Sequence, residues 1–256
     1  MQKNTVMLNF ERFIQLKGKN IYVAQDIDIN FSIFKYTDLF NLLMINLNQF
    51  YVGIKKNFPD KLESGEEFVL LSSDLSIPGE SISESQVIKS KELRKEIENS
   101  KYWLTACWTL KQEEDFFMWK TYAPNKFSVR IETTIKDLLN SINSDNYNIF
   151  VDMINYSSKK KCINDITDYA FYKYKFYEGE EELRIYFIPS MDVIGPEKQE
   201  KNRDVYLELK SPLPIKSILL SPFLQPVSKA KLKELLEQHF KIESSIIHSS
   251  QILLKF

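Results

Sequence analysis

Glu180-Glu-Glu-Leu-Arg-Ile-Tyr-Phe187 has the two-residue period of a β-strand. Successive side chains of a strand point to opposite faces. Leu183, Ile185 and Phe187 therefore share one face, which is expected to lie in a core, and Glu180, Glu182, Arg184 and Tyr186 share the other. The strand is expected over 182–189, paired with a second strand at 204–210 across the charged turn region 190–202.

Outward from this stretch, strands are expected at 32–36, 49–54, 102–110, 126–133, 147–156, 215–220 and 242–247. Helices are expected at 38–47, 85–100, 113–122, 135–142 and 229–240. The first carries Leu39, Leu42, Leu43 and Leu47 on a helical period, with Thr37 as its N-cap. The helix at 85–100 is charged, with a narrow Leu93/Ile97 stripe, the pattern of a solvated surface helix. Residues 57–85 are rich in Pro, Gly, Ser and acid and are expected to be mostly loop, with a strand-like piece at 68–71. Strands outnumber helices, and the helices fall between them irregularly. The expected fold class is α+β, a mixed, largely antiparallel sheet with helices packed on it, in a single compact domain. Residues 1–28 are expected to form a peripheral N-terminal extension.

Composition narrows the chemistry. With 43% hydrophobic and 27% charged residues over 256 positions, the chain can bury a sizeable core. A formal charge of −1 gives no global reason to seek nucleic acid or an anionic membrane. Two cysteines, Cys107 and Cys162, are no disulfide framework, so the expected setting is the reducing cytoplasm. The start of the chain does not read as a signal peptide, and the most apolar later stretch is broken by Lys216, Pro222 and Pro226. The expectation is a soluble protein without membrane contact. The six glycines form neither a dinucleotide fingerprint nor a phosphate-cradling P-loop. His239 and His248 with two cysteines are too few and too poorly spaced for a zinc site, so no metal ligands are assigned and no tightly bound cofactor is expected.

Three constellations remain. Phe171-Tyr-Lys-Tyr-Lys-Phe-Tyr177 interleaves rings with lysines as single-strand nucleic-acid sites do, but a core strand needs the same alternation, and the core reading is preferred. Phe116-Phe-Met-Trp-Lys-Thr-Tyr122 sets Trp119 and Tyr122 side by side on a helix, where they serve as core or line a pocket. On the strand at 182–189, two carboxylates followed by a guanidinium can grip a polar ligand, or form ordinary ion pairs on a solvated sheet face.

The order of short motifs adds a resemblance. Lys35-Tyr36 stands before a leucine-rich helix, followed by the Phe58/Asp60 turn, by Met118-Trp119-x-x-Tyr122-Ala123 before a strand, and by an aromatic residue ahead of Glu180-x-Glu182-x-Arg184. This order, from about residue 30 onward, resembles the bacterial domain-of-unknown-function family 2971. Three departures stand out. Asn57-Phe-Pro-Asp60 lacks the contiguous Asn-Asp-Pro, no glycine follows the Trp119 helix, and Tyr177 stands where the family usually has Trp. The resemblance implicates Lys35, Tyr36, Trp119, Tyr122, Glu180, Glu182 and Arg184, and it brings no settled activity with it.

The leading expectation is an ADP-ribosyltransferase-like or other NAD- or nucleotide-processing bacterial effector, of phage-defence or toxin type, with NAD as substrate. Glu182 would stabilise an oxocarbenium-like centre and Glu180 would orient a ribose. Arg184 and Lys35 would hold phosphate, with Tyr36 beside them, and Trp119 or Tyr122 would stack on a ring. One alternative is a non-enzymatic module that binds a partner protein or a nucleotide, using the Leu93/Ile97 stripe. Another is a Mg²⁺-dependent nuclease using Glu180, Glu182 and a further acid.

Overall fold

The computed structural model describes residues 10–55, 69–71, 84–158, 161–163, 165–190 and 205–252. Strands β1 (Phe13–Gln15), β2 (Ile21–Ala24) and β3 (Ser32–Asp38) precede helix α1 (Leu39–Asn46). Strands β4 (Gln49–Ile54) and β5 (Val69–Leu71) then lead to α2 (Glu84–Ser100). Next come β6 (Leu104–Thr109), α3 (Phe116–Tyr122), β7 (Ser128–Thr134), α4 (Ile135–Ser141) and β8 (Tyr147–Met153). The short strands β9 (Asn155–Ser157), β10 (Lys161–Ile163) and β11 (Tyr172–Tyr174) surround α5 (Ile166–Ala170). Strands β12 (Glu182–Pro189), β13 (Val205–Glu208) and β14 (Ser217–Leu220), helix α6 (Pro226–Phe240) and strand β15 (Ile247–Ser249) complete the order. The pairing is mixed and largely antiparallel, with helices packed around the strands, so the fold is α+β.

The chain divides into two compact units. The first comprises Met1–Ile27, Gly53–Ala106 and Ser144–Asp204. In it β1 is antiparallel to β2, β2 runs parallel to β8, and β12 is antiparallel to β8 from Leu183↔Met153 to Pro189↔Tyr147. Residues 1–28, expected as a peripheral extension, thus supply two strands, and Ile21, Val23 and Ala24 are buried. The second unit comprises Asp28–Val52, Cys107–Asn143 and Val205–Phe256. There β7 pairs antiparallel with both β3 and β14, β15 lies parallel to β14, and β13 pairs with β4.

The expected pairing of the strands at 182–189 and 204–210 is therefore corrected. β12 takes β8 as partner and β13 takes β4. Periodicity identifies a strand but not its neighbour, and the long connection here carries no tight-turn signal to fix one.

Local chemistry explains several boundaries. Thr37 is still in β3, opposite Val129, so Asp38 rather than Thr37 caps α1, accepting from the Asn41 N–H at 2.7 Å. Asn48 takes a left-handed conformation (φ 60°), which an asparagine tolerates, between α1 and β4. Helix α3 starts at Phe116 and not at 113, because the Asp115 carboxylate accepts from the N–H groups of Phe117 (2.7 Å) and Met118 (3.3 Å). On α2, Leu93 is buried with Trp103, Tyr169 and Phe171, and Ile97 packs against the same cluster. The stripe read as a solvated helix face, or as a partner surface, is committed to the core of the first unit. The turn at 57–60 lies outside the described residues.

Candidate functional site

In the first unit both faces of β12 are buried. Leu183, Ile185 and Phe187 fill one side as their spacing predicts. The polar side is covered by the end of α5 and the start of β11. Tyr186 meets Trp103 and Phe171 edge-on at ring-centroid distances of 5.4 and 5.3 Å, and its hydroxyl donates to the Ala170 carbonyl at 2.8 Å. Arg184 is fully buried beneath this cover, its Nη1 donating to the same carbonyl at 3.4 Å. The solvated sheet face that the alternation allows is not what forms.

A charge without solvent must find an opposite charge and hydrogen bonds. Arg184 grips Glu182 with two parallel bonds, Nε to Oε1 at 2.5 Å and Nη2 to Oε2 at 3.0 Å. Lys173, 0% exposed, reaches Glu182 Oε2 at 3.2 Å and Glu180 Oε2 at 2.6 Å, and its ammonium lies 4.4 Å from the centre of the Tyr177 ring. The Glu182 N–H donates to the Tyr156 hydroxyl at 2.9 Å. Burial, and then the Glu182 carboxylate, push the Tyr156 phenol well above its ordinary range and keep it neutral. The two carboxylates and two cations of this cluster balance in charge.

Within the cluster the two acids differ in access. The Glu182 side chain is 4% exposed, whereas that of Glu180 is 15% exposed, at the end of a 3₁₀ turn over Lys175–Glu180 rather than on the strand. Glu181 between them adopts a left-handed conformation (φ 46°). Both carboxylates reach the same ammonium. Glu182, expected to meet ligand directly, is an interior anchor, and Arg184 in this arrangement is enclosed rather than open to phosphate. Glu180 is the acid at the rim.

The remaining candidates lie in the second unit. Lys35 donates to the Cys107 carbonyl at 3.0 Å, with its ammonium 5.6 Å from the centre of the Trp108 ring. Tyr36 is buried edge-on against Trp119 at a centroid distance of 4.9 Å, and its hydroxyl accepts from the Asp115 N–H at 3.0 Å. Burial raises the Tyr36 pKa above that of an ordinary phenol. Trp119 is 0% exposed, and its Nε1 donates to Glu114 at 2.8 Å. Glu114 also accepts from the Ser250 hydroxyl and from the Gln251 N–H, and Ile252 packs against the Tyr36–Trp119 pair. The expectation that Trp119 stacks on a ligand ring is corrected by this burial, because its faces belong to the core. Tyr122 is the exposed ring of the group. The seven residues singled out in the sequence thus form two constellations, three in the first unit and four in the second.

Three participants escape the motif reading. Lys173 shows in the sequence only as a lysine within an aromatic run, and its burial beside two carboxylates is what the structure adds. Arg130 is buried 3.9 Å from the Phe34 ring centre and donates to the carbonyls of Lys111 (2.9 Å) and Gln112 (2.5 Å). Burial holds its pKa below the usual guanidinium value, with Tyr36 acting the other way. Beside its local partner Trp119, Glu114 binds Ser250 and Gln251 at the far end of the second unit, which no local signal announces. Among the described residues, no group of three His, Cys, Asp or Glu side chains is arranged to hold a metal ion, and no helix is long and apolar enough to cross a membrane.

No family model, curated protein or solved structure matches this chain.

Proposed function

We propose that the chain is an NAD-processing enzyme of ADP-ribosyltransferase-like chemistry in which Glu180 is the reacting carboxylate. The observation that carries this reading is the sharing of one buried ammonium, Lys173, between an interior acid and a rim acid. Glu182, fixed by Arg184, holds Lys173 in place, and Lys173 orients Glu180 through their ion pair. Glu180 then accepts a hydrogen bond from the ribose 2′-hydroxyl of NAD. Its charge stabilises the cation that develops at the ribose C1′ as nicotinamide departs with the electrons of the C–N bond. Water or an acceptor nucleophile adds at C1′ and gives up a proton. The bacterial-effector role, in phage defence or as a toxin, and the likeness to family 2971 belong to the same proposal.

The test is incubation of the full chain with NAD labelled in the adenylate half, following nicotinamide release together with transfer of label to protein. Neither release nor transfer would remove the reading.

A second reading, a non-enzymatic binding module, is favoured by the internal cancellation of charge among Glu180, Glu182, Arg184 and Lys173, which is how a purely structural network behaves. It predicts that NAD or another nucleotide binds without turnover, and steady nicotinamide release would exclude it. The nuclease reading loses its motive, because an ammonium lies between Glu180 and Glu182 where a metal ion would have to sit.

A further inference from the structure

In the second unit the first half of α6 faces strands β14 and β15 across a groove of about 820 Å³, within the usual range of small-molecule sites. Its floor is apolar, built on Leu220 and Ile247, both buried. Its rim is basic: Lys229 and Lys233, one helical turn apart on one face of α6, with His248 on the facing strand. We propose that this groove binds an organic phosphate, the lysines taking the phosphate and the apolar floor taking the body of the molecule.

The placement of the lysines supports this assignment. Lys229 stands in the first turn of α6, which holds no acid, although the helix dipole disfavours a cation there. Helix stability therefore gives no account of Lys229. Lys233 approaches an acid only loosely, at 4.0 Å from Glu237. Burial lowers the Lys229 pKa, with the Glu114 charge acting against it. A phosphate oxygen between two ammonium groups matches the charge of the rim, and the Leu220/Ile247 floor offers an ester group the contact that free phosphate cannot use. The proposal stands on this groove alone and does not rest on the role given to Glu180.

The experiment is a titration of the full chain, at fixed ionic strength, with phenyl phosphate, inorganic phosphate and phenol. It is read by amide chemical shifts and calorimetry. Phenyl phosphate should bind saturably and at least about tenfold more tightly than either of the others, with shifts confined to β14, β15 and the first half of α6. K229A/K233A should weaken it by about tenfold or more per lysine, and the milder K229Q and K233Q give the same reading should the double variant fold poorly. E180Q should bind it as the parent does, which separates this site from the proposed reaction. Absence of saturable binding, equal affinity for all three probes, or undiminished binding by the lysine variants would each overturn the assignment.

Discussion

Replacing Glu182 with glutamine keeps the shape of the side chain and removes its charge. Arg184 and Lys173, both 0% exposed, are then left with Glu180 as the one carboxylate of the cluster. Glu182 accepts from Arg184 at 2.5 and 3.0 Å and lies 3.2 Å from Lys173, so one substitution weakens three charge-assisted contacts. Breaking a buried ion pair from one side costs about 3–5 kcal/mol, because the partner charge stays inside without compensation. Glu180→Gln is the internal control. Its side chain is 15% exposed, and Lys173 keeps Glu182, so its cost is about 1–2 kcal/mol. In a urea titration followed by circular dichroism, a slope of about 2–3 kcal/mol/M converts these into midpoint drops of about 1–2 M for E182Q and about 0.5 M for E180Q. Equal drops for the two variants, or a drop below about 0.3 M for E182Q, would refute the assignment of Glu182 as the interior anchor.

Two further outcomes follow from the same geometry. Leu93→Ala should cost about 2–5 kcal/mol in the same titration, since the side chain is buried in the core, whereas a partner-facing leucine would cost almost nothing. Asp115→Ala should cost about 1 kcal/mol at neutral pH through loss of the α3 cap. Burial acts against the Asp115 charge, but hydrogen bonds from Lys111, Phe117 and Met118 together outweigh it and hold the pKa below the ordinary carboxylate value. Its contribution is thus fully present above the unfolded pKa of about 4 and is lost as pH falls through the lower folded value. The stability gap between the parent and D115A should be constant above about pH 4 and close below it, and a gap that widens in acid would count against the cap.

The sequence was most legible where one face of an element decides its burial. Gln49–Ile54 and Glu182–Pro189 run over the expected residues, and Leu183, Ile185 and Phe187 are inside as their spacing requires. It was silent about partners. Nothing in Glu182–Pro189 distinguishes β8 from β13 as neighbour, because pairing is settled by the packing of remote segments. For the site, the residue types were readable but their depth was not. A polar face of alternating Glu and Arg looks the same whether solvent or a second layer covers it, and here Ala170 and Tyr186 close over Arg184. Lys173 was visible only as part of an aromatic run, yet it is the charge on which both acids converge. The Leu93 stripe failed as an interface for a related reason, since a narrow apolar stripe suffices to dock a helix on its own core.

The most direct measurement is the rate of nicotinamide release from NAD by the parent protein and by E180Q, under conditions where both are folded. The proposed role of Glu180 requires steady release by the parent and a loss of about 10²–10³-fold in the variant, the usual effect of removing one group that stabilises developing charge. A parent that leaves NAD intact, or a variant that turns it over at the parental rate, would contradict it.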